Sequence, residues 1–183
     1  MRVAITGHTS GLGKELFTRF ENVVGFSRSN GFDITDIEKR KDIISSINEC
    51  DVFINNAHEP FFQTILLEEI FKEWKFEKKT IVNIISRSKY PNISKGFLYS
   101  TSKASLSHLS NSLRFVSDKK CRIIDINAGL LDSNMPSLTY KELCDIIIWS
   151  INQPFHIEIG EISVWNTTPY KIVSEMKDEL RKY

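Results

Sequence analysis

Cysteine is scarce in this chain. Cys50, Cys121 and Cys144 are the three copies among 183 residues, odd in number, scattered and set in apolar surroundings. That pattern fits buried, reduced thiols and excludes a disulfide framework. His8, His58, His108 and His156 do not pair with them at ligand spacing, so no metal site is expected. An excess of charge is missing too: 24 basic residues face 23 acidic ones for a net charge of +1. No basic block interleaved with aromatics is present to follow a phosphate backbone, which argues against nucleic acid as a partner. Long apolar runs are absent. Met1-Arg2-Val3-Ala4-Ile5-Thr6-Gly7 reaches a glycine turn too soon for a signal peptide, and no later stretch has the length to span a bilayer. A soluble, cytoplasmic protein is the expectation. Internal repeats, low-complexity tracts and interdomain linkers are also lacking.

What is present is a regular alternation of short apolar runs and amphipathic stretches. With 41% hydrophobic residues the chain is long enough for one well-buried domain, expected over residues 1–168, followed by a charged tail at 169–183. Val3 to Thr6 reads as a buried strand, and a helix with Leu12, Leu16, Phe17 and Phe20 at helical spacing follows it. Further strands are predicted at 23–27, 51–54, 81–85, 122–127 and 161–165. Helices are predicted at 36–48, 62–78, 99–117 and 140–151. Strands alternating with helices imply a three-layer, doubly wound parallel sheet, an α/β Rossmann fold in which ligands bind beyond the carboxyl ends of the strands.

Chemistry-bearing residues fall at those ends. Gly7, Gly11 and Gly13 lie in the turn Gly7-His8-Thr9-Ser10-Gly11-Leu12-Gly13, between a strand and an amphipathic helix. There the backbone can approach a diphosphate whose charge suits the amides and dipole of the helix. Ser27 and Arg28 follow the second strand, where a carboxylate would grip the ribose hydroxyls of NAD. A hydroxyl and a guanidinium point instead to the 2′-phosphate of NADP, with a solvated surface arginine as the alternative. Asp33 suits an adenine amino group, or the cap of the helix beginning near Asp36. In Tyr99-Ser100-Thr101-Ser102-Lys103, a phenol and an ammonium four residues apart share a helix face, and the lysine charge favours the ionised phenol. Such a tyrosine can exchange protons near neutral pH.

Taken in order, these segments resemble the short-chain dehydrogenases/reductases of the non-extended type. Thr6 to Gly13 is similar to that family's Thr-Gly-x-x-x-Gly-x-Gly turn, and Asn55-Asn56-Ala57 to the start of its Asn-Asn-Ala-Gly motif. Ile81 to Ser86 resembles the strand ending in its catalytic serine, and Tyr99 and Lys103 its Tyr-x-x-x-Lys pair. Ala128-Gly129-Leu130-Leu131-Asp132-Ser133 resembles its Pro-Gly-x-x-x-Thr segment. The resemblance covers residues 3 to about 165.

The resemblance implies cofactor contacts from Gly7, Thr9, Ser10, Gly11, Leu12 and Gly13, then from Ser27, Arg28, Asp33 and Ile34. It implies further contacts from Asn55, Asn56, Ala57, Tyr99, Lys103, Gly129, Leu131 and Ser133. It assigns Ser86 to the substrate oxygen, Tyr99 to its proton, and Lys103 to the nicotinamide ribose. The expected activity is interconversion of a carbonyl and an alcohol with NADP(H) favoured over NAD(H), or, on a trimmed fold, non-catalytic NADP(H) sensing. Family resemblance also implies a homodimer or homotetramer joined through the helices at 62–78 and 99–117.

Departures from the family pattern are concentrated in one region. Only 29 residues separate Asn56 from Ser86, where the family fits two helices, so one helix is expected to be lost. The family's catalytic asparagine has no match, and His58, Glu59 or Gln63 lies near its place. His58 replaces the motif's glycine, Ala128 replaces a proline, and the segment from Gly129 to Tyr140 is short. Arg87, Lys89 and Lys95, between the serine and the tyrosine, suggest an anionic or polar substrate, or solvated loop charges.

Overall fold

The computed structural model describes residues 1–91 and 96–168, so Lys95 and the tail at 169–183 lie outside the described residues. Six strands, β1 (Val3–Thr6), β2 (Val23–Phe26), β3 (Val52–Asn55), β4 (Thr80–Ser86), β5 (Arg122–Ala128) and β6 (Glu161–Val164), form one sheet in the order β2-β1-β3-β4-β5-β6. Every pairing is parallel. Five helices connect them: α1 (Gly11–Arg19), α2 (Ile37–Ser46), α3 (Phe62–Trp74), α4 (Phe97–Arg114) and α5 (Tyr140–Ile151). A single helix, α3, spans the interval between Asn56 and Ser86.

The strands are apolar on both faces because helices cover both. Ala4, Phe53, Ile81 and Ile123 pack with α2, α3 and α4 through Ile43, Leu66, Ile70, Trp74 and Leu106. Their strand neighbours Ile5, Val52, Ile54, Val82 and Ile124 pack with α1 and α5 through Leu12, Leu16, Leu143 and Ile147. Period-two alternation divides each strand between the two cores. Each such Leu, Ile or Phe contributes about 1.5–3 kcal/mol on burial. The three cysteines are buried and free. Burial pushes the Cys121 thiol up to about 11 and the Cys144 thiol up to about 12, so neither is a thiolate at neutral pH.

Helix starts are set by local chemistry. Asp36 Oδ1 accepts from the Glu38 amide at 2.8 Å and caps α2, so Asp33 is not that cap. Thr139 and Glu142 form a reciprocal capping box on α5. At α1, Ser10 makes no side-chain cap and the first turn carries no carboxylate, which leaves its amides available. Among the described residues no helix is long and apolar enough to cross a membrane.

Candidate active site

The carboxyl ends of β1 and β3 are stitched together by Thr6, whose hydroxyl accepts from the Asn56 and Ala57 amides, each at 3.0 Å. Asn56 Nδ2 returns a hydrogen bond to the Thr6 carbonyl at 3.0 Å. Above this seam Gly7 takes φ of 71°, a left-handed conformation, and α1 starts so close that a Cβ on Gly13 would stand 2.1 Å from the Gly7 carbonyl oxygen. Only glycine fits at position 13.

The turn opens a cavity of about 490 Å³, within the range of small-ligand sites. Its lining brings together eleven of the predicted residues: Gly7, Thr9, Ser10, Leu12, Gly13, Ser27, Arg28, Asp33, Ile34, Asn56 and Ala57. Ser29, Phe32, His58 and Glu59 complete it. Gly11 faces the Tyr140 hydroxyl instead. Asn55 lies fully buried behind the cavity. Asp33 Oδ1 is held by the Thr35 amide and hydroxyl, each at 2.9 Å, and these bonds keep its carboxyl below the usual carboxylate range. The Ser27 hydroxyl is engaged by Ser29 at 2.8 Å, within the turn Arg28–Asn30. Arg28 is largely exposed and paired with Glu59 at 3.1 Å.

Ser86, Tyr99, Lys103, Gly129, Leu131 and Ser133 are not in that lining. Ser86 ends β4 beside Ala128, and its hydroxyl accepts from the Ser88 amide at 3.1 Å. Tyr99 stands in the first turn of α4 with Lys103 one turn on, the Lys103 ammonium 5.8 Å from the Tyr99 ring centre. Lys103 is 3% exposed, and Nζ donates to Gln63 Oε1 and to the Ile84 carbonyl, both at 2.7 Å. The second acceptor lies two residues before Ser86, which brings the α4 lysine to the end of β4. Burial without a carboxylate partner pushes Lys103 down to about 7.

Gln63 is the residue that sequence reasoning only bracketed. It is 3% exposed in the first turn of α3, and its Nε2 donates to the Asn55 carbonyl at 2.5 Å while Asn55 Nδ2 donates back to the Gln63 carbonyl at 3.0 Å. The bulky Phe61, two residues earlier at the N-cap of α3, adopts φ of 65°. His58 packs edge to face on Tyr99, ring centres 4.8 Å apart. Burial, with a smaller contribution from the Lys103 charge, pushes its imidazole down to about 4.

Lys89 is bound by Glu161 at 2.5 Å and by Ser107 at 2.9 Å, and the Arg87 guanidinium stacks 4.0 Å above the Trp165 ring. These contacts tie the turn after Ser86 to β6, Trp165 and α4, and the Lys89 charge is matched by the Glu161 carboxylate. Beyond β5 the Gly129 amide donates to the Val164 carbonyl of β6 at 2.8 Å, and the Ser133 hydroxyl accepts from the Met135 amide at 3.0 Å.

A glycine turn at the first strand end of a parallel sheet covered by helices on both faces defines a doubly wound α/β architecture. In its fold the chain matches short-chain dehydrogenases. It aligns with a closed-form serine dehydrogenase complexed with NADP⁺ at a TM-score of 0.79 and 17% identity, over 92% of this chain and 96% of that one. A short-chain dehydrogenase from Burkholderia cenocepacia in complex with NADP aligns at 0.75 and 18% identity, over 100% and 96%. A 3-ketoacyl-(acyl-carrier-protein) reductase from Brucella melitensis complexed with NADH aligns at 0.75 and 16%, over 89% and 96%. No protein-family model matches the chain, and neither does any curated protein.

Proposed function

We propose that this protein is an NADP(H)-dependent oxidoreductase that interconverts a carbonyl and an alcohol. The observation that carries the reading is the placement of Lys103, drawn by Gln63 and Ile84 to the end of β4 that carries Ser86, one helical turn from Tyr99. The residues of the crevice suit a dinucleotide: the Gly7 to Gly13 turn and the uncapped amides of α1 would hold the diphosphate, and Asp33 faces the adenosine end. A pyridine dinucleotide, when bound, supplies the hydride exchanged with the substrate carbon.

The chain supplies the rest. Negative charge develops on the substrate oxygen as a carbonyl is reduced, and the Ser86 hydroxyl donates a hydrogen bond to it while the Tyr99 phenol delivers the proton. Proton delivery leaves a Tyr99 phenolate, and in the oxidising direction that phenolate takes the proton from the alcohol. An ammonium has three donors, and Gln63 and Ile84 occupy two of those on Lys103, leaving one for a ribose hydroxyl. The carboxamide of Gln63 thereby orients the lysine.

Arg28 supports NADP(H) over NAD(H). Its bond to Glu59 is a surface pair, worth at most about 1 kcal/mol, and is readily exchanged for a 2′-phosphate. Calorimetric titration should show NADPH binding more tightly than NADH, and Arg28→Ala should narrow the gap by about tenfold, the ~1.4 kcal/mol of a charge-assisted contact. Equal affinities in the unaltered protein refute the assignment of Arg28. A second reading, a non-catalytic NADP(H)-binding sensor, is favoured by one observation: the imidazole of His58 stacks on the phenol that would do the chemistry.

A further inference from the structure

One residue, His58, is shared by the lining of the cavity and the surroundings of Tyr99. His58 belongs to the lining of the cavity, and its ring packs edge to face on Tyr99, centre to centre 4.8 Å. The lining on the far side runs through the glycine turn and Arg28 to Asp33 and Ile34, and Tyr99, Lys103 and Ser86 have no part in it. A dinucleotide seated on the glycine turn would place its adenosine diphosphate half in this lining, and its nicotinamide half would run toward Tyr99 along the side where His58 stands.

Three features make the ring movable. Among the described residues no hydrogen bond holds the imidazole, and its fixed contact is the edge-to-face stack, worth about 0.5–1.5 kcal/mol. The ring is neutral at pH 7, because burial and then the Lys103 charge push it down to about 4, so moving it displaces no ion. Its backbone is firm by contrast: the neighbouring Ala57 amide is tied to Thr6 and the Glu59 carbonyl accepts from the Phe62 amide at 3.2 Å. Rotation of this side chain would break its contact with Tyr99 without moving the backbone.

Resting on the nucleotide reading above, we propose that His58 is a specificity-determining residue that walls the nucleotide cavity off from Tyr99, so that the protein discriminates poorly between an adenosine phosphate fragment and the whole pyridine dinucleotide. Displacing the ring takes up part of the binding energy of the nicotinamide half. A fragment that ends at the wall loses nothing.

The test is calorimetric titration of the full chain with two probes, adenosine 2′,5′-bisphosphate and NADPH, in the unaltered protein and in His58→Gly, His58→Ala and His58→Phe. Both probes are expected to bind the unaltered protein within about threefold of each other, and His58→Gly to tighten NADPH by about tenfold while changing the fragment by less than about twofold. His58→Ala, which keeps ordinary backbone restriction should the glycine variant fold poorly, is expected to behave alike. His58→Phe retains a ring and is expected to keep the original ratio. If the fragment and NADPH shift together in the glycine and alanine variants, or their ratio stays unchanged, His58 is no such wall and the nucleotide reading stands without it. If neither probe binds any form of the protein, the nucleotide reading itself fails and this inference falls with it.

Discussion

At Gln63 a single carboxamide joins three parts of the site: the Lys103 ammonium, the end of β3 through Asn55 and the end of β4 through Ile84. Replacing it by leucine leaves a buried ammonium and a buried carbonyl short of a partner, a loss of about 1–3 kcal/mol for each such group. Gln63→Leu should therefore lower the urea midpoint. Gln63→Glu sets a carboxylate against Lys103 and stabilises its charged form. The limb of the kcat/KM profile that follows the lysine proton should then move to higher pH. An unmoved profile in the glutamate variant excludes Gln63 as the group that orients Lys103. The residue was hard to single out in the sequence for a physical reason. A glutamine at the start of an amphipathic helix reads as solvated, and the left-handed conformation of Phe61 at the N-cap of α3 leaves no mark in the residue types. Tyr99, Lys103 and the glycines were legible because their spacing itself carries the chemistry.

Among elements, the central strands carry a polar ladder that period-two patterning conceals. The sheet register sets Asn55 beside Asn83 and Asn83 beside Asp125. Asn55 Nδ2 donates to Asn83 Oδ1 at 3.2 Å, and Asn83 Nδ2 donates to Asp125 Oδ1 at 3.0 Å. Ser110 adds a bond to the same oxygen at 2.7 Å, and Arg114 at the end of α4 pairs with the other oxygen at 2.6 Å. Asp125 is fully buried, and burial raises its carboxyl above the usual range despite Arg114. The ladder links β3, β4 and β5 to both α3 and α4, the helices that present Gln63 and Lys103. Arg114→Ala strands a buried carboxylate and should destabilise by about 3–5 kcal/mol, read as a lower denaturation midpoint. Recovery of stability in an Arg114→Leu, Asp125→Leu double variant is the expected counterpart. A cost under about 1 kcal/mol for Arg114→Ala would place the pair among ordinary surface bridges. The strands were legible as apolar runs and the helices by their stripes. The cross-strand pairings came only with the register.

For the whole molecule, the buried titratable groups of the site set a pH dependence of stability. Lys103 titrates at about 7 in the fold against 10.5 when unfolded, so between those values the unfolded chain holds more protons and stability rises with pH. His58 titrates at about 4 against 6.5, so stability falls as pH is lowered through that window. Both groups thus make the fold weaker on the acid side. Thermal unfolding should show a higher Tm at pH 9 than at pH 7 relative to a Lys103→Met variant, in which this contribution is removed. The same pH response in both proteins would show that Lys103 is not buried as a strained charge. The parallel order and the two covered faces follow from alternation along the chain, whereas the cavity depends on the placement of His58, Glu59 and Phe32 from segments far apart in sequence. The most direct measurement is NADPH consumption against a panel of aldehydes and ketones, with Tyr99→Phe as the blank and its NADPH affinity measured alongside. The native protein should turn over at least one carbonyl while Tyr99→Phe binds NADPH and does not; equal turnover by the two would contradict the assignment of Tyr99 as the acid.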